Sequence, residues 1–146
     1  MEIINATDGY KLGHHRMYPE GTEQVYSNWT PRSNKYFPEA TEGSVVFGIQ
    51  YLIKEYLIKR FEKDFFNLPR EEAIQSFYRR INNFVGIDSV GIEHIEELYD
   101  LGYLPIRIKA LPEGAVCPIR VPMMTITNTR PEFFWLTNYL ETLIRY

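Results

Sequence analysis

Ile106-Arg107-Ile108-Lys109-Ala110-Leu111-Pro112-Glu113-Gly114-Ala115-Val116-Cys117 decides the fold class. Ile106, Ile108 and Ala110 alternate with Arg107, Lys109 and Leu111, a period of two that gives a strand one apolar and one wet face. Pro112-Glu113-Gly114 carries turn chemistry, so Ala115-Val116-Cys117 is expected to return beside the first strand. Met123-Met124-Thr125-Ile126-Thr127 predicts a third strand, with Pro118 and Pro122 at positions where strand ends tolerate proline. Upstream, residues 23–29 predict a further strand, broken by Thr30-Pro31-Arg32-Ser33-Asn34-Lys35.

Helical periodicity flanks this sheet. Within about 45–65, Ile49, Leu52, Ile53, Tyr56, Leu57 and Phe61 share one face at helical spacing. A second helix is expected from Pro69, suited to a first turn, with Glu71 and Glu72 favourable to its dipole. Its stripe is Ile74, Phe77, Tyr78, Ile81 and Phe84. A short third helix carries Ile92, Ile95, Leu98 and Tyr99, with Gly102 at its C-terminal cap. Thr129-x-x-Glu132 has the form of a capping box before a last stripe of Phe133, Leu136, Thr137, Leu140, Leu143 and Ile144. That stripe reaches Tyr146 with no glycine, proline or polar tail, and the stop reads as a truncation within the fold. The class is therefore α+β: a small antiparallel sheet packed with helices, one domain over residues 1–146.

Composition narrows the function classes. Hydrophobic residues make up 45% and aromatics 15%, which excludes a disordered chain. The net charge of -3 argues against a nucleic-acid partner, since phosphate binding needs a basic face. The lone Cys117 rules out an internal disulfide, fits a reducing compartment and reads as a packing thiol. Met1-Glu2-Ile3-Ile4-Asn5 has no basic n-region or long apolar run, and no window approaches a membrane span. A soluble cytoplasmic protein, with no membrane partner, is expected.

The segment richest in chemistry is Thr7-Asp8-Gly9-Tyr10-Lys11-Leu12-Gly13-His14-His15-Arg16-Met17-Tyr18-Pro19-Glu20-Gly21-Thr22. Terminal segments fray unless tied down, so such a concentration of specialised side chains suggests binding. Tyr10, flanked by glycine, can offer a flat face to a heteroaromatic ring or simply pin the terminus. Asp8 suits a turn or cap. The planar fork of Arg32 suits phosphate, or water. Adjacent histidines point different ways and lack neighbours at ligand spacing, so His14 and His15 read as hydrogen-bonding groups rather than metal ligands. Lys11 and Arg16 read as surface charges, or as positive potential near a phosphate site. The chain has no P-loop, no G-x-G-x-x-G and no Ser-His-Asp or Cys-His grouping.

The T-D-x-Y-K-x-x-H and Y-P-x-x-T pattern of that segment resembles the start of the nicotinamide phosphoribosyltransferases, type II phosphoribosyltransferases. Phe47-Gly48-Ile49-Gln50-Tyr51, residues 104–114 from Leu104-Pro105 to Glu113-Gly114, and Pro131-Glu132-Phe133-Phe134-Trp135-Leu136-Thr137-Asn138-Tyr139-Leu140-Glu141-Thr142 continue the resemblance in order. It implies the N-terminal domain of an enzyme joining nicotinamide to phosphoribosyl pyrophosphate, without the α/β barrel that holds most of the active site. It implies that Tyr10 stacks on the nicotinamide ring across a dimer interface. Asp8 would accept from the carboxamide and repel nicotinate, and Arg32 would lie near the phosphates. Mg²⁺ would accompany phosphoribosyl pyrophosphate in the complete enzyme, with none bound by this chain alone. The partner would be a second copy or a complementing barrel-containing chain. A non-catalytic interaction module is the competing reading, and a nicotinate enzyme is a third that Asp8 disfavours.

Overall fold

The computed structural model describes residues 2–86 and 90–145. Its strands are β1 (Tyr26–Trp29), β2 (Ser44–Val45), β3 (Ile106–Ala110), β4 (Val116–Cys117) and β5 (Met124–Asn128). The helices are α1 (Ile49–Leu52), which widens into π-helical turns over Ile53–Arg60 and Glu62–Phe66, then α2 (Arg70–Phe84), α3 (Glu93–Leu101) and α4 (Leu136–Ile144). The class is α+β, as expected.

A three-stranded antiparallel sheet runs β1-β5-β3, with Ile126 of β5 opposite both Ser27 and Ile108. On the central strand Met124, Ile126 and Asn128 are buried and alternate with half-buried Thr125 and Thr127, the period-two signature of one covered face. Asn128 does the work of an extra ladder rung. Its Oδ1 accepts from the Val25 amide at 2.8 Å, and its Nδ2 donates to the carbonyls of Glu23 and Arg130.

The expected hairpin from β3 into residues 115–117 does not form. β4 pairs instead with β2 in a separate two-stranded sheet. The cause lies in the turn: the Glu113 carboxylate accepts from the Gly48 and Gln50 amides at 2.8 and 3.0 Å, satisfying donors at the start of α1. The Gly114 amide donates to Val46, and Val46 donates back to Ala115. These bonds draw the chain off the edge of β3.

That arrangement also moves the first helix. Val45, expected at its start, belongs to β2, and the helix begins at Ile49 after Gly48, whose φ of 85° suits glycine. Leu57, Phe61 and Phe65 form its buried column, against which Phe66 and Tyr99 pack their rings. The capping box does not form either. Pro131 opens a 3-10 turn, Pro131–Phe133, and Glu132 accepts from the Arg130 guanidinium at 2.9 Å rather than reaching back. Pro69 sits one position ahead of α2 instead of in its first turn. Phe84, assigned to the buried stripe, is 65% exposed, whereas Ile74, Phe77 and Ile81 are buried. Gly102 caps α3 in the left-handed region at φ 81°, its amide bonded to the carbonyls of Leu98 and Tyr99. Cys117 is buried, as expected. Tyr146 lies outside the described residues.

Candidate functional site

The N-terminal segment Gly9–Met17 winds as a nine-residue 3-10 helix, far longer than the three or four residues such geometry usually sustains. Its support comes from the far end of the chain. The Thr7 hydroxyl donates to the Tyr139 carbonyl at 2.9 Å, and the Tyr139 hydroxyl donates to the Ile4 carbonyl at 2.6 Å. From α2, Arg80 donates to the Thr7 carbonyl and Ser76 receives Asn5 Nδ2. Asn138 donates to His14 Nδ1 at 2.7 Å. The terminus is tied to two helices before the candidate residues begin.

Thr142 is the hinge of the site. Its hydroxyl donates to Asp8 Oδ2 at 2.7 Å while accepting from the Asp8 amide at 3.2 Å and from Lys11 Nζ at 3.1 Å. One donor and two lone pairs are thereby all used. Lys11, expected as a surface charge, is 3% exposed. Its ammonium also donates to Glu141 Oε2 at 3.1 Å and lies 3.6 Å from Asp8 Oδ2. A buried cation needs such partners, because desolvation without compensation costs more than folding can offset. The Thr142 hydroxyl first, and then the charge of Lys11, hold the Asp8 carboxyl below the usual carboxylate range.

Above this clamp Tyr10 is 64% exposed, its ring 5.4 Å from that of His14 and its centroid 5.8 Å from Lys11 Nζ. Asp8 and Tyr10 share the wall of an open concavity of about 660 Å³ with Arg16, Met17, Phe84 and Val90. Phe84 has a place here: its ring covers Gly9 so closely that a Cβ on Gly9 would overlap it. Arg32 lines a neighbouring groove with Trp29, Phe47, Glu141 and Arg145. Two predicted residues thus meet in one pocket and the third does not, but Glu141 links them, facing Arg32's groove while holding Lys11.

His15 is not a ligand in waiting. Its ring stacks on His94 of α3 at 3.8 Å and 18°, and His94 is boxed edge-on by Phe77 and Trp135. Burial, assisted by the positive charge of Arg16, pushes His15 down, and pushes His94 down to about 3. Among the described residues, no group of three or more His, Cys, Asp or Glu side chains could hold a metal ion.

Glu141 and Thr142 escaped sequence reasoning as site residues, and the burial of Lys11 was not foreseen. The available signal was Glu141, the one charged residue within Leu136–Ile144. The four motif segments also pair in space. Residues 47–51 meet residues 104–114 through Glu113, and residues 7–22 meet residues 131–142 through Thr142 and Lys11.

The family described as nicotinamide phosphoribosyltransferase, N-terminal domain, matches residues 2–108. The nicotinamide phosphoribosyltransferase of Acinetobacter baylyi is 47% identical over 144 residues, covering 97% of this chain and 28% of that protein. Those of Xanthomonas campestris pv. campestris and Mycoplasma pneumoniae are 31% and 27% identical, covering 28% and 34% of their lengths. The chain thus spans about a third or less of these relatives. With its four motifs in order and meeting in pairs, the chain belongs to the nicotinamide phosphoribosyltransferase family, as an N-terminal domain.

Proposed function

We propose that this chain forms the ring-binding wall of a nicotinamide phosphoribosyltransferase. In the reaction the ring nitrogen of nicotinamide bonds to the ribose C1 of phosphoribosyl pyrophosphate. The C1–oxygen bond breaks, and nicotinamide mononucleotide and pyrophosphate leave, a step of NAD biosynthesis. Tyr10 offers its exposed face to the pyridine ring, and the ionised Asp8 accepts from the carboxamide N–H. The same charge repels the carboxylate of nicotinate. Arg32 faces the phosphates from the adjoining groove. The observation that carries this reading is Asp8 and Tyr10 on one pocket wall, fixed by Thr142 and Lys11.

Positioning is the contribution of this domain; ribose orientation and pyrophosphate neutralisation belong to the remaining segment that the relatives carry. Mg²⁺ would enter with the phosphates of phosphoribosyl pyrophosphate in the complete enzyme. Residues 1–146 act as the N-terminal domain of a cytoplasmic enzyme. They work with a second copy or a complementing barrel-containing chain. Phe47 and Tyr51, exposed beside Arg32's groove, supply apolar surface for that contact.

The test joins this chain to the remaining segment and supplies nicotinamide, phosphoribosyl pyrophosphate and Mg²⁺. Mononucleotide is expected from the pair and not from this chain alone. Asp8→Asn should narrow the preference for nicotinamide over nicotinate. Mononucleotide from the isolated chain, or an unaltered preference in Asp8→Asn, contradicts the reading.

A further inference from the structure

We propose that Lys11 and Glu141 are positioning residues for the ring site: the buried ammonium, held between carboxylates from the two ends of the chain, aims and charges Asp8. The inference rests on the ring-site reading above and deepens it.

Lysine at 3% exposure is rare unless it is paired. A simple anchor for the terminus needs no charge, since Thr7, Asn5 and Tyr139 already tie it down with neutral hydrogen bonds. The ammonium spends its donors on Glu141 Oε2 and Thr142 Oγ1, each at 3.1 Å, and faces Asp8 Oδ2 at 3.6 Å. It therefore has little left to attract an anionic ligand. Two carboxylates around one ammonium leave the cluster one negative charge in surplus, and Asp8 is the member that also lines the pocket beneath Tyr10. The arrangement presents an acceptor to an amide and a repulsive charge to a carboxylate. Glu141 meanwhile faces the groove of Arg32, so the same ion pair joins the ring site to the anion site.

The test uses the enzyme assembled from this chain and the remaining segment, comparing Lys11→Met, Glu141→Gln and Asp8→Asn. The readouts are KM for each substrate, kcat, and the pH dependence of the nicotinamide KM. Lys11→Met should raise the nicotinamide KM at least about tenfold, the size of one charge-assisted hydrogen bond, with the pyrophosphate substrate's KM held within about twofold. The pH at which Asp8 takes up a proton and nicotinamide binding weakens should move upward, because a neighbouring cation has gone. Glu141→Gln should move that step downward, since Asp8 then has the ammonium to itself. A structural strut would shift neither. If both variants keep the wild-type step and lose only thermal stability, the proposal is overturned. If Lys11→Met does not fold, the direction of the Glu141→Gln step decides alone: downward upholds the proposal, unmoved overturns it. If Asp8→Asn itself leaves nicotinamide KM and its pH dependence unchanged, the ring-site reading fails and this proposal falls with it.

Discussion

Two segments carry the candidate residues, and they are held in opposite ways. Residues 5–14 are bonded to helices far away in sequence, through Asn5, Thr7, Asp8, Lys11 and His14, with Leu12 in the core. Residues 30–40, around Arg32, bond mainly within themselves: Lys35 to Ser33, Asn34 to Ala40 and Phe37 to Asn34, with Arg120 reaching the Pro31 carbonyl from outside. Tyr36 there is 94% exposed. A flat ring must be met at a fixed distance and tilt, which calls for a rigid wall. Arg32, proposed above to face phosphate, sits on an exposed loop, which suits adjusting to a ligand or a second chain. The firmer hold is on the segment proposed to meet the ring.

The difference should appear first in stability. Leu12→Ala removes a fully buried side chain of the N-terminal segment and should cost about 2–5 kcal/mol in urea denaturation, whereas Tyr36→Ala should stay within about 0.5 kcal/mol. Equal losses would erase the contrast between the segments. Next in size, Thr142→Val keeps the shape of the side chain and removes the hydroxyl that serves Asp8 and Lys11. A loss of about 1–3 kcal/mol is expected, and a neutral result would mean that the three bonds add nothing.

Acid sharpens the comparison further. His15 and His94 have lowered folded-state pKa values, so the unfolded chain binds protons that the folded one refuses. The stability they confer is complete above the unfolded value, about 6.5, and is lost as pH falls below it, for His94 progressively toward about 3. For His94 the cost is about 1.4 kcal/mol for each pH unit in that window. His94→Phe keeps a ring against His15 and should flatten the slope between about pH 6.5 and 4; an unchanged slope assigns acid sensitivity elsewhere. The smallest effect belongs to Glu113→Ala, which frees the Gly48 and Gln50 amides at the start of α1 and should cost about 0.5–2 kcal/mol. Hydrogen exchange at those two amides checks it directly.

The sequence made the helices legible because their order is local. The stripe of Ile74, Phe77 and Ile81, the cap at Gly102 and the apolar face of α4 follow from spacing within a few turns. Strand partners were not legible in the same way. Nothing near Glu113 says that its carboxylate will cap a helix more than sixty residues upstream and pull β4 toward β2. Lys11 failed for a related reason. A lysine among polar neighbours looks solvated until Glu141 and Thr142, some 130 residues later, are seen against it. Asp8 and Tyr10 were found through the family pattern, and their shared pocket came only with the folded chain.

The most direct measurement is the split between the two substrates in Tyr10→Ala, made in the enzyme assembled from this chain and the remaining segment. Nicotinamide binding should weaken by about 1–3 kcal/mol, the scale of lost stacking and burial, while the affinity for phosphoribosyl pyrophosphate barely changes. Tyr10→Phe, which keeps the ring face, should be much milder. Wild-type kinetics for nicotinamide in Tyr10→Ala would contradict the account and leave Tyr10 an anchor of the terminus.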